Sequence, residues 1–179
     1  MENLKSLDSL RQIDERHILL SRLTGRVFDL PDWHDAVSRI VLNETVPEDV
    51  RSQFNVARNM ALYSYFCYSL APEVQSKTFI LIEFALRLRL APPKRMVLKD
   101  LLRAAIDRGW IADAKFRHLA KPDPDNSYSK SLIETIPNIR NSFAHGTNVL
   151  THDCLGYLAK CADFINQLYP QPSPPLQGN

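Results

Sequence analysis

Apolar residues return every three or four positions along most of this chain, and prolines or glycines stand where the runs break. A strand-rich fold needs alternation at period two and frequent glycine turns, and the chain has only five glycines. Of its 179 residues 45% are apolar, which is material for one core. The fold class this implies is all-α, a bundle of about six or seven helices.

In chain order, Leu4, Leu7, Leu10, Ile13, Leu19, Leu20 and Leu23 predict a first helix over 4–23, stopped at Thr24-Gly25. Its apolar stripe either packs on the rest of the domain or serves as a docking arm. Asp29-Leu30-Pro31-Asp32 opens a second helix, with Asp32 or a near neighbour as cap and Trp33, Val37, Ile40 and Val41 as its stripe. Pro47-Glu48-Asp49 suits a helix start, because proline lacks the amide that would be orphaned there and the carboxylates complement the dipole. The third helix runs 48–70, and Pro72 opens a fourth over 72–90. These two form an up-down hairpin expected to pack against the C-terminal helices. A fifth helix covers 96–108, a short one Asp113 to Leu119, and two more 129–144 and 151–169. Pro137 is expected to kink the penultimate helix. The chain thus divides into an N-terminal helical extension (1–46), a helical bundle (47–169) and a Pro-rich tail (170–179) expected to be disordered.

The net charge is only +2, so bulk charge does not argue for nucleic acid. Its distribution is uneven: Arg87, Arg89, Lys94, Arg95, Lys99 and Arg103 face a single Asp100. Such a stretch either tracks a phosphate backbone or is a solvated helix face. The aromatic group Tyr63, Tyr65, Phe66 and Tyr68 is either a base-stacking platform or bundle filling. Cys67, Cys154 and Cys161 form no CxxC pair, so no disulfide framework is expected, and a cytoplasmic location fits. The first residues carry no signal sequence, and no apolar run is long enough for a bilayer, so no membrane association is expected. The five histidines show no HExxH or Cys–His spacing, and no glycine-rich phosphate loop occurs, so neither metal nor cofactor is expected.

One stretch concentrates chemistry: Ile139-Arg140-Asn141-Ser142-Phe143-Ala144-His145-Gly146-Thr147. Arg140 can fork two donors onto a phosphate, and imidazole is the side chain suited to trading protons near neutral pH. Five residues apart on a regular helix, Arg140 and His145 sit roughly 140° apart. They converge if the last turn unwinds, or if a second copy supplies the opposing pair. In the fourth helix Glu83 and Arg87 are placed for an ion pair between consecutive turns. Glu83 either makes only that bridge or also holds Arg140 or His145. The loop Lys121 to Tyr128 is expected at the mouth of the site.

Arg140, the polar Asn141 after it, a short spacer and His145 resemble the motif of HEPN domains, small all-helical domains. The resemblance covers about residues 50–169. It implies a metal-independent endoribonuclease of the toxin–antitoxin or antiviral-defence kind. Arg140 would then stabilise the scissile phosphate, Asn141 orient a group beside it, and His145 transfer protons. An acidic residue placed like Glu83 has a supporting role in such domains. Products would carry 2′,3′-cyclic phosphate and 5′-hydroxyl ends. The implied partners are RNA, along Arg89, Lys94, Arg95 and Lys99, a second copy in a homodimer, and an antitoxin or other protein. Other members of that superfamily are non-catalytic, so a helical interaction or RNA-binding module is the competing expectation.

Overall fold

The structure, a computed structural model, describes residues 3–25, 27, 29–145 and 153–172. Among these, seven α-helices follow one another: α1 (Glu15–Thr24), α2 (Leu30–Ser38), α3 (Glu48–Tyr63), α4 (Leu70–Leu90), α5 (Leu98–Asp107), α6 (Ser127–Ala144) and α7 (Cys154–Leu168). No strand occurs among the described residues. The architecture is an all-α bundle, and no described helix is long and apolar enough to cross a membrane.

The central element is α4. Val74, Phe79, Leu81, Ile82, Ala85 and Leu86 are all buried along it, so it is apolar over most of its circumference. A helix of that kind must be surrounded, and α3, α5, α6 and α7 all pack on it. The α3–α4 hairpin on the C-terminal helices is therefore as expected from the periodicity. Phe54, Leu86, Leu101, Leu102, Leu158, Phe164 and Ile165 meet in the core.

Several boundaries differ from expectation. The third helix stops at Tyr63, not near residue 70; residues 64–69 turn back on themselves instead, with the Ser64 hydroxyl donating to the Ala61 carbonyl at 2.7 Å. Tyr65 and Tyr68 in that turn are buried and Tyr63 is exposed, so the four aromatics form no shared stacking platform. Asp113 to Lys115 make a single 3-10 turn where a helix to Leu119 was expected. Pro137 lies inside one continuous helix, α6. The seventh helix begins at Cys154, because Asp153 caps it through the Gly156 amide, and residues 151 and 152 lie outside the described residues. The tail expectation falls on 173–179, also outside them.

The N-terminal region reverses its own pattern. The first helix covers only Glu15–Thr24, since Asp14 acts as its cap and accepts the Arg16 amide. Asp14 also accepts the Tyr68 amide at 2.9 Å, and His17, 3% exposed, bonds the Ser64 carbonyl at 2.9 Å. The His17 ring lies 5.2 Å from Trp33 and 5.1 Å from Tyr68. Polar residues thus anchor this region, while Leu7 and Leu23 are 84% and 73% exposed. Further on, Val37, Ile40 and Val46 join the bundle core, and the Asn43 amide donates to the Asn166 side chain at 2.7 Å.

Candidate functional site

The helix that carries Arg140 is fixed first at its other end. Asn126, in a left-handed conformation (φ 55°), precedes α6 without capping it through its side chain. The carboxylate of Asp113 takes that role from outside the helix. It accepts the Tyr128 amide at 3.0 Å, the Ser129 amide at 2.7 Å and the Ser129 hydroxyl. The Asn126 side chain in turn accepts the Asp113 amide at 2.8 Å. Burial pushes the Asp113 carboxyl up, but the Ser129 hydroxyl and the two amides outweigh it and hold the group below its ordinary value. Leu132 and Ile136 then bury the middle of α6, and near its far end the Phe143 ring lies 6.4 Å from Phe79 of α4.

That far end brings Arg140 to Glu83. An Arg140 guanidinium nitrogen stands 3.5 Å from Glu83 Oε2, with the two side chains 44% and 19% exposed. The other carboxylate oxygen, Oε1, is held by Arg87 Nη2 at 2.6 Å, and the same nitrogen donates to the Met96 carbonyl at 2.9 Å. The intrahelical bridge and the link to Arg140 are therefore both present on one carboxylate. Two guanidiniums share one negative charge, which leaves this corner one positive charge in excess. Arg87 is held by Nε and Nη2; Arg140, more exposed and at the longer distance, has more donors to offer an incoming anion.

His145 caps α6, its amide donating to the Asn141 carbonyl at 3.1 Å. Its side chain and that of Asn141 are exposed. The last turn does not unwind before His145, contrary to one expectation. With helical backbone to that point, Arg140 and His145 remain roughly 140° apart around the axis. One chain alone does not aim both at one atom.

The basic stretch is mostly occupied. Arg89 lies over the rings of Trp110 (4.9 Å) and Tyr169 (5.6 Å), where cation–π attraction holds it. Lys99 pairs with Glu134 of α6 at 2.6 Å, and Arg103 with Asp100 at 3.2 Å. Lys94 and Arg95, exposed on the connector before α5, make no ion pair among the described residues. Of the four cations expected along RNA, two are thus tied to rings or a carboxylate and two are open.

The loop expected at the mouth lies at the opposite end of α6, next to Asp113, and 18 residues of helix separate it from His145, about 27 Å. Cys154 and Cys161 are buried, and burial pushes both thiols up, so neither is a ready nucleophile. Among the described residues no three His, Cys, Asp or Glu side chains cluster as metal ligands. The Met96 carbonyl that fixes Arg87 was not anticipated, and no spacing rule could have found it, since the contact exists only once the connector folds back. Comparison of the chain with family models, curated proteins and solved structures returned no match.

Proposed function

We propose that the chain is a metal-independent endoribonuclease that works as a homodimer. The observation that carries this reading is the half-exposed Arg140 guanidinium, steadied by Glu83 and five residues before the exposed His145. In the proposed reaction Arg140 binds a phosphate oxygen and neutralises charge that grows as the ribose 2′-oxygen attacks phosphorus. A His145 imidazole takes the 2′-hydroxyl proton, the bond to the 5′-oxygen breaks, and a protonated His145 returns a proton to that oxygen. Asn141 orients the phosphate. Because the two side chains diverge on one helix, the reading requires a second copy to complete each site. RNA would enter past Lys94 and Arg95. Such an enzyme fits a toxin or antiviral-defence component acting in the cytoplasm, restrained by a protein partner.

A specific observation favours a second reading, a non-catalytic interaction module. Leu4, Leu7, Leu19 and Leu23 present an apolar surface at the N-terminus that the bundle does not use. End-group analysis separates the two. RNA fragments produced in EDTA should accept a 5′ label from a polynucleotide kinase without prior phosphatase treatment, and their 3′ ends should be cyclic phosphates. Fragments with 5′-phosphates would overturn the proposed chemistry, and absence of cleavage by a dimeric protein would favour the module.

A further inference from the structure

The helices α6 and α7 both lean on α4 yet make no extensive contact with each other. Between them lies a cleft of about 190 Å³, floored by Thr78, Phe79 and Ile82 of α4. Leu132, Ile136 and Ile139 form one wall, and Tyr157, Cys161 and Phe164 the other. An apolar cavity of roughly 150 Å³ takes up benzene and stays free of water, so this cleft has room for one ring and a short substituent.

Four of its polar side chains are already hydrogen-bonded within their own surroundings. The Thr78 hydroxyl donates to the Gln75 carbonyl at 2.7 Å, Ser131 to Tyr128 at 2.7 Å and Thr135 to Ser131 at 2.9 Å. The Cys161 thiol donates to the Thr78 carbonyl at 3.6 Å. With those donors spent, the Tyr128 and Tyr157 hydroxyls are the further O–H groups of a lining that is otherwise mostly apolar, so the interior suits an apolar group better than a charged one.

The mouth is different. Lys160 of α7 lines it, with a side chain 36% exposed. Its ammonium is held loosely, 3.8 Å from Asp153 and 5.1 Å from the centre of the Tyr157 ring. The other nearby carboxylate, Asp163, is already taken by Arg117 at 2.6 Å. His118, whose ring packs 5.0 Å from Tyr128, stands on the same side. It is held below its ordinary value by burial and then by the Lys160 charge, so it adds no competing cation there.

We propose that this cleft is a binding site for a small apolar monocarboxylic acid, its ring or branched chain between α6 and α7 and its carboxylate on Lys160. The site does not depend on the ribonuclease reading. Neither Arg140 nor His145 lines it.

The test is calorimetric titration of the full chain with phenylacetate, benzyl alcohol and acetate. Phenylacetate should bind saturably at one per chain and at least about tenfold tighter than the other two. Lys160→Gln should bring phenylacetate down to the affinity of benzyl alcohol. Thr135→Trp, at an exposed position beside the mouth, should fill the cleft and abolish binding, with circular dichroism melting to show that both variants fold. Equal binding of acetate and phenylacetate would overturn the apolar pocket. Equal binding of benzyl alcohol and phenylacetate would overturn the role of Lys160 and recast the cleft as a socket for a neutral side chain. Unchanged binding by Thr135→Trp, or no saturable binding by the wild type, would overturn the site itself.

Discussion

The two ends of α6 are each held by a carboxylate from another part of the chain, and they are held in opposite ways. At the N-terminal end the buried Asp113 accepts a hydroxyl and two backbone amides, and the amides are fixed by helix geometry. At the C-terminal end Glu83 meets Arg140 through one contact of 3.5 Å on a half-exposed side chain. Fixed backbone donors saturate a carboxylate and leave it nothing to exchange. A guanidinium on a flexible stem leaves donors over, and its partner can be shared with a ligand at small cost. The first end is tightly fixed, and the second, under the proposed function, is the one that binds.

That contrast predicts a gradient of effects. Asp113→Ala should cost about 3 kcal/mol, because it leaves three donors unpaired around a buried position. Urea denaturation should show a lower midpoint at unchanged slope. Acid should attack the same end. The Asp113 carboxyl is held below its unfolded value of 3.8, so the stability it supplies is complete above that pH. It is lost as pH falls from there through the lower folded value. Asp113→Asn should flatten this acid limb in a circular dichroism titration; an unaltered limb would mean that Asp14 or another carboxylate governs it. Glu83→Gln should cost about 1 kcal/mol, since it leaves two cations facing each other in a partly exposed corner. Arg140→Ala should cost less than about 0.5 kcal/mol, the ordinary worth of an exposed, long ion pair. Should Arg140→Ala destabilise the fold as much as Asp113→Ala, the division between a structural and a binding end collapses.

How far the sequence reveals this depends on the range of the interactions. The fifth helix was readable almost to the residue, because Leu101, Leu102, Ala105 and Ile106 sit on one face of a single short element and are all buried. Glu83 stood out as an acid among apolar neighbours, which is a local signal, and it does reach Arg140. Asp113 gave no such signal. A carboxylate that caps a helix from a preceding turn follows no fixed spacing. The N-terminal leucines show the limit of periodicity most clearly. They mark an apolar face, but periodicity does not say that the face meets the bundle, and here Asp14 and His17 make the contact instead. The α6–α7 cleft does leave a sign in the sequence: Tyr157, Cys161 and Phe164 make a second stripe on α7 beside the Leu158, Ala162 and Ile165 stripe. A helix apolar on two faces has two neighbours, or one neighbour and a space.

The central claim is that the open end of α6 does chemistry on RNA, and one measurement addresses it directly. Wild type and His145→Ala, purified identically, are incubated with a mixed RNA pool in EDTA. The account predicts cleavage by the wild type and a loss of at least about a hundredfold in the variant, the scale of a missing proton-transfer group. Equal cleavage by both proteins, or none by a folded and dimeric wild type, would contradict it.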